Sequence, residues 1–284
     1  MTRGFLVTAS VVMTLAVAAP VRAQGKGKGH TSNPPSSSAL ANPTVVAPVT
    51  AGAVPFAWID DASVLPPGTM AVSVSVLRWQ GADVSEVDVP VVGLSAGLMP
   101  RLQLGASIPR VVGNDVTGVV GGFGTTFVSA KIGVLTGGTS GVKLAIAPTI
   151  EILGEGALQA LAPGESRTQF GLPASAEIDR GAVRVFGTAG FFSRGVWFAG
   201  GGVGAQATRR LTVSAAFSRA WTTDAVGSIV PDRREVSGSV GFSVRPQMSV
   251  FGSLGTTVAT ADQNGAGTTV TGGVVFLLTP ALLK

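Results

Sequence analysis

The sequence predicts an all-β protein: an antiparallel up-and-down transmembrane β-barrel of about twelve strands, after a signal peptide and a disordered N-terminal tail. Three observations carry that expectation. The first is an alternation, clearest in the stretch VGLSAGLMPRLQLGASI from Val92 to Ile108. Val92, Leu94, Ala96 and Leu98 alternate with Gly93, Ser95 and Gly97; past Met99-Pro100-Arg101, Leu102, Leu104, Ala106 and Ile108 alternate with Gln103, Gly105 and Ser107. Successive strand residues point to opposite faces, so each run has one apolar face and one small or polar face, and the pair forms a hairpin. Gly, Ser and Gln build no core, but they suit a wall around a water-filled lumen.

The second observation is composition. Charged residues are 12% of the 284, against roughly 25% in ordinary globular chains, with 40 glycines and a mean hydropathy of +0.46. Yet beyond the N-terminus no apolar run looks helical. The longest uncharged run after Asp60, Gln263 to Leu283, is broken by Gly265, Gly267, Gly272, Gly273 and Pro280. Lipid offers no partner to an unpaired peptide group, so strands cross it only as a closed sheet.

The third observation is the sorting of the connections. Taken alternately, one set is short: Met99–Arg101, Thr136–Gly141, Asp179–Gly181, Thr208–Arg210 and Arg245–Gln247. The other is mostly long: Gln80–Asp88, Val112–Gly118, Leu153–Gln169, Thr222–Arg233 and Thr260–Gly267, with Arg194-Gly195 the exception. Short turns on the periplasmic side and longer loops outside are the habit of outer-membrane barrels.

Taken in order, residues 1–23 form the signal peptide: Arg3, an apolar core from Phe5 to Ala19, and Val21-Arg22-Ala23 as a small-residue cleavage site before Gln24. Removing Arg3 and Arg22 takes the formal charge from +5 to 5 − 2 = +3. Residues 24–55, rich in Gly, Ser, Pro and Asn, form a disordered periplasmic tail or linker that carries Lys26, Lys28 and His30. The barrel occupies 56–284 and opens with a leading segment, FAWIDDASVLPPG, from Phe56 to Gly68.

Strand one, Thr69–Trp79, sends Met70, Val72, Val74 and Val76 outward. Strands two and three are the hairpin, extended to about Val89 and Val111. Strand four, Val119–Leu135, sends out Val128, Ala130, Ile132 and Val134; strand five, Val142–Ile152, sends out Leu144, Ile146 and Ile150. Strand six is Phe170–Ile178, with Leu172, Ala174 and Ala176 outward, and strand seven is Ala182–Ser193, with Val183, Val185, Ala189 and Phe191. Strand eight, Val196–Ala207, is too rich in glycine for its facing to be assigned. Strand nine, Leu211–Trp221, alternates Leu211, Val213, Ala215 and Phe217 with Thr212, Ser214, Ala216 and Ser218. In strand ten, Val236, Val240, Phe242 and Val244 oppose Ser237, Ser239, Gly241 and Ser243. In strand eleven, Met248, Val250 and Leu254 oppose Ser249 and Ser253, and strand twelve shows Val270, Val274, Phe276 and Leu278 on one side. Most runs are close to the about 9–11 residues a tilted strand needs to cross. Trp79, Trp197 and Trp221 all fall at the loop ends of their strands, where an outer aromatic girdle is expected.

The motifs of chemistry are absent or coincidental. Gly93–Gly97 matches G-x-S-x-G, but lies mid-strand, and the single His of the chain, His30, is in the tail. Gly202–Ala207 matches G-x-G-x-x-A with no helix after it. With no cysteine and one His, no zinc site of the usual kind can be assembled, and Asp60-Asp61 alone is weak as a calcium site. The chain is therefore expected to have no catalytic residues, no metal and no cofactor. Its basic residues are scattered, which argues against nucleic acid.

Charge inside the lumen is the candidate site. Lys131, Lys143, Glu177 and Arg184 fall near the turn ends of four successive strands, and parity places all four inside. They are candidates for a lumen constriction favouring anionic solutes; the alternative is that they pair with each other and hold the wall. The outer loop Leu153–Gln169 is long enough to carry a helical turn.

Three stretches, Val64–Thr69 (VLPPGT), Gly97–Pro109 (GLMPRLQLGASIP) and Gly122–Leu135 (GFGTTFVSAKIGVL), together with the leader, resemble outer-membrane barrels of the MetA-pathway phenol-degradation type. That resemblance implies a barrel of about twelve strands in the outer membrane that passes small hydrophobic or aromatic compounds. The chain departs from such barrels at its end: Phe276 is followed by Leu277–Lys284, where an aromatic last residue is usual for recognition by the outer-membrane assembly machinery. The expected partners are membrane lipid, small solutes and that machinery. Two functions stay open: a passive channel or transporter in a Gram-negative-type outer membrane, and a structural or adhesive surface barrel with a plugged lumen. A barrel enzyme is disfavoured by the missing histidine.

Overall fold

The structure is a computed structural model that describes residues 61–81, 85–114, 121–138, 141–154, 166–193, 195–222, 232–260 and 266–279. The expected signal peptide, the tail, His30, Trp58 and Asp60 lie outside the described residues. No described helix is long and apolar enough to cross a membrane. The chain builds a closed antiparallel sheet instead.

Three single-segment strands open it: β1 (Met70–Gly81), β2 (Ser85–Met99) and β3 (Leu102–Asn114). The next three staves are each made of two segments: β4 (Gly122–Phe123) with β5 (Thr126–Gly137), β6 (Val142–Ile146) with β7 (Thr149–Ile152), and β8 (Thr168–Gly171) with β9 (Ala174–Arg180). Six long strands complete the wall: β10 (Val183–Phe192), β11 (Val196–Gln206), β12 (Leu211–Thr222), β13 (Asp232–Arg245), β14 (Met248–Thr260) and β15 (Gly267–Leu278). Each stave pairs with the next, and β15 closes on β1 from Met70↔Leu278 to Gly81↔Gly267. The result is a twelve-stave up-and-down barrel without a free edge, which satisfies every ladder within the wall.

Its faces are inverted relative to a soluble sandwich. Val92, Val74, Val274 and Val250 sit on one rung across four neighbouring staves, and Val74, Val128, Val185, Val240 and Leu254 are all exposed on the outer face. Most of the buried residues are instead polar: Ser73, Ser75, Ser175, Thr188, Ser218 and Thr271 are among the least accessible side chains. Hydroxyls facing inward pair across strands, Ser175 with Thr188 at 3.2 Å and Ser214 with Ser239 at 2.6 Å, as cross-strand neighbours on one face should.

Three details depart from the sequence reading. Strands four, five and six are interrupted at Gly124-Thr125, Ala147-Pro148 and Leu172-Pro173. Proline has no N–H to give a ladder, yet its carbonyl still accepts. Ala130 N donates to Pro148 O at 3.0 Å and Ala147 N donates to Pro173 O at 2.8 Å, so the wall stays tied across the breaks. Second, the connection expected over Gln80–Asp88 shrinks to residues 82–84, because β1 and β2 run on to Gly81 and Ser85. Polar residues such as Glu86 and Asp88 look like loop in a sequence, but a lumen-facing strand accepts them.

Third, the glycines have a specific use. Phe186, Phe192, Phe198 and Phe251 all face inward, and each is paired directly across the ladder with a glycine: Gly202, Gly171, Gly190 and Gly273. A Cβ at Gly171 would lie 2.4 Å from the Phe192 ring, and one at Gly190 2.6 Å from Phe198. The rings lie flat on bare backbone, and the pairing also orders the glycine-rich β11, with Phe198 inward and Trp197 and Val203 outward.

Candidate functional site

The barrel has a turn end, carrying the tight hairpins, and a loop end. At the turn end the four charges expected on the inner wall do come together, on β5, β6, β9 and β10. Lys143 Nζ lies 2.9 Å from Glu177 Oε1 and 2.6 Å from Asp179 Oδ2. Register accounts for this, since Lys143 and Glu177 are direct partners across β6 and β9, and opposite charges at such a position attract.

The other partner comes from the leading segment. Arg184 donates to Asp61 Oδ2 at 2.8 Å. Lys131 Nζ donates to the carbonyl oxygen of Asp61 at 3.1 Å and lies 3.9 Å from its carboxylate. Glu177 accepts from the backbone N–H of Ala62 at 3.2 Å and from the Ser63 hydroxyl, and Lys143 donates to that same Ser63 Oγ at 2.9 Å. Gln103 Oε1 accepts from Leu65 N at 2.9 Å, and Gly68 N donates to Gly97 O at 2.8 Å. Asp61–Gly68 is thus a belt laid along the inside of the mouth, from β10 through β9, β6, β5, β3 and β2 to the start of β1.

Each contact has a local cause. Pro66-Pro67-Gly68 is a stiff turn that fixes the belt's exit into β1. Gly97 faces it, and a Cβ there would lie 2.2 Å from Pro66 O and 2.5 Å from Leu65 O. Leu65 is 3% exposed and packs on Ala71 and Val275, with Phe251 and Leu277 beside them. Charge-assisted hydrogen bonds of this length are the strong class. Gly97→Ala is expected to lift the belt off the wall, because both obstructing atoms are backbone. Limited proteolysis of the folded barrel checks this, with a new cleavage between Asp61 and Gly68 as the expected outcome.

Electrostatically the cluster is balanced. Lys131, Lys143 and Arg184 face Asp61, Glu177 and Asp179, so the formal sum is 3 − 3 = 0. The sequence reading counted only Glu177 among the anions. Asp179 shares its face by parity and was legible; Asp61 was not, being 123 residues from Arg184 in the chain.

The loop half of the lumen has a different lining. Phe127, Phe192 and Phe198 form an aromatic patch, with centroids 6.5 Å apart edge-on for the first pair and 5.9 Å for the second. Phe192 and Phe198 are 2% and 3% exposed. Glu86 and Asp88 share the inner face with Trp79 and Leu77, their register partners.

That register corrects the expected girdle at one position. Trp79 pairs with Thr269, which is buried, and so shares the inward face of Ser73 and Ser75. Its indole lies over Gly81 and Gly267, with Nε1 buried. Trp197 and Trp221 do lie on the outer face, as direct partners. Phe191 lies tilted against Trp197 with ring centroids 4.9 Å apart, and the Arg219 guanidinium sits 4.9 Å over Trp221.

The elbow-like Gly93–Gly97 lies within β2, with Ser95 opposite Ala71 and Gly105. Gly202–Gln206 likewise lies within β11.

No family model matches the chain, and no curated protein matches it. Solved structures do. The COG4313 outer membrane channel from Pseudomonas putida F1 aligns with a TM-score of 0.57 at 14% identity, covering 77% of this chain and 98% of that one. The KdgM porin gives 0.52 at 11% identity and the NanC porin 0.52 at 10%, each covering 72% of this chain and 98% of its own. At such identities the likeness is one of fold: a single barrel architecture that spans these channels almost end to end.

Proposed function

We propose that the chain is an outer-membrane barrel that passes small solutes passively, with the belt and the Lys131, Lys143, Glu177 and Arg184 cluster as its constriction. The observation that carries the reading is the inverted wall: apolar residues exposed outside, hydroxyls and charges inside, and no free edge. Such a wall is stable only where lipid surrounds it and its interior stays polar. The fold shared with outer-membrane channels and porins supports the location. Work is done by pore width and lining, with no reaction catalysed.

Small hydrophobic or aromatic compounds are the proposed solutes. Phe127, half-buried on the inner wall and edge-on to Phe192, supports this, since edge-on ring contacts favour aromatic guests; Phe192 and Phe198 are covered and hold it in place. So does the resemblance of Gly97–Pro109 and Gly122–Leu135 to the MetA-pathway phenol-degradation barrels.

One observation favours a second reading, a barrel closed for structural purposes: the belt follows the inner wall of the mouth and is bonded to six staves before entering β1. Planar-bilayer recording on refolded protein separates the two. Stable ionic steps support the channel; a silent membrane with correctly folded protein supports the plugged barrel.

A further inference from the structure

The outer face carries a charge pattern that transport does not explain. Among the described strand residues in the loop half, the outward-facing charges are Arg78, Arg110, Arg219 and Arg234 against Asp232, whereas the inward-facing ones are Glu86, Asp88, Glu151 and Glu235 against Arg233. The wall thus separates sign: positive outside, negative within.

Two of the arginines are clustered. Arg219 and Arg234 are direct partners across β12 and β13, a placement in which like charges repel. Their stems climb toward the loop end, where Arg219 binds Asp232 through Nε at 3.0 Å and Nη2 at 2.9 Å, and Arg234 Nη2 reaches the same carboxylate at 3.3 Å. Arg219 also stacks on Trp221, whose ladder partner is Trp197. Both guanidinium groups therefore end at the level of the aromatic pair, as long cations do when they leave hydrocarbon for a headgroup layer. The side chains of Arg219 and Arg234 are 43% and 46% exposed. One carboxylate neutralises one of the two cations, so the cluster keeps a net charge of 2 − 1 = +1.

We propose that Arg219 and Arg234, beside Trp197 and Trp221, form a docking site for the phosphate of a phosphorylated glycolipid in the surrounding leaflet. The phosphate oxygens take the donors that Asp232 leaves over, in the bidentate manner that guanidinium favours, and the acyl chains lie down the face of Trp197 and Val203. Neutral lipid offers nothing to the arginines, and free phosphate lacks the acyl chains that the aromatic pair covers. The inference rests on the outer-membrane reading above, but its test needs no conduction through the barrel.

The test is lipid binding by the full-length, detergent-folded protein, read by native mass spectrometry. The probes are diphosphoryl lipid A, the same lipid without phosphate, and inorganic phosphate as competitor. The diphosphoryl form is expected to bind most tightly, with Arg234→Gln about fivefold weaker and the Arg219→Gln/Arg234→Gln pair about twenty-five-fold weaker, at roughly 1 kcal/mol per arginine near a headgroup layer. Arg234→Gln leaves the Arg219–Asp232 pair whole, so it serves even where the double variant fails to fold. Arg180→Gln, outward at the turn end, should change nothing. Equal binding of the phosphate-free lipid, unchanged binding by Arg234→Gln, or full competition by millimolar inorganic phosphate overturns the proposal. Because conductance is not the readout, a silent bilayer removes the channel reading and leaves this result standing.

Discussion

Val240→Arg is expected to destabilise the barrel by about 2–4 kcal/mol, the cost of an arginine on the hydrocarbon-facing side near the bilayer midplane. Val240 is 46% exposed and lies near the middle of β13, with Val213 beside it on the outer face. Ser237→Arg, three residues away on the same strand, should cost far less. Ser237 faces the lumen between Ala216 and Gly255, two small neighbours that leave room for the new side chain. A conventional core would reverse the order, since the less accessible position would then be the apolar one. Urea titration in lipid vesicles measures both, and comparable losses for the two variants would contradict the assigned faces.

Lys131→Ala with Arg184→Ala is expected to open the mouth. Both cations hold Asp61, whose side chain is 17% exposed, while theirs are 7% and 19% exposed. Removing them leaves Asp61 beside Glu177 and Asp179 with only Lys143 for the three carboxylates. Breaking a fully buried pair costs about 3–5 kcal/mol, and the partial exposure here lowers that figure. The hydrogen bonds of Ala62, Ser63 and Leu65 remain, at about 1 kcal/mol each, so losing both anchors together frees the Asp61 end of the belt first. Single-channel conductance should rise several-fold. The wall should stay folded, because both substituted residues keep their backbone places in the ladders. With the belt gone the double variant keeps Lys143 against two acids, 1 − 2 = −1, so its preference should turn toward cations. Unchanged conductance in a folded double variant would show that the belt does not limit passage.

The strand alternation was legible because it is local. A period of two needs only neighbouring residues, and a wall between lipid and water enforces it along nearly every stave. The segment breaks at Pro148 and Pro173 were written in the sequence too, but alternation carried on across them hid them. Trp79 departs from the expected girdle for a related reason. Counting from Met70 puts residue 79 on the inward face, and parity, not position at a strand end, decides which side a ring takes.

What the sequence did not show are the features that depend on distant pairing. Phe192 lies on Gly171 and Phe198 on Gly190 only because the register aligns them. A glycine read alone means a small lining residue; opposite a phenylalanine it is a seat for a ring. The belt is the extreme case. FAWIDDASVLPPG has no periodicity, and its partners Glu177 and Arg184 lie 114 and 123 residues from the groups they hold. The cluster itself was found by parity, while its balance of charge was not, because Asp61 belongs to no strand.

The most direct test of the account is a cysteine scan along β13. The chain has no cysteine of its own, so each introduced thiol reports one position. Val236, Ser237, Ser239 and Val240 are replaced singly, and the folded barrels are exposed to a water-soluble maleimide in lipid bilayers. Labelling is expected at 237 and 239, on the lumen side, and protection at 236 and 240, on the lipid side. Uniform labelling along the strand, or a chain that stays folded in water with no detergent or lipid, would contradict it.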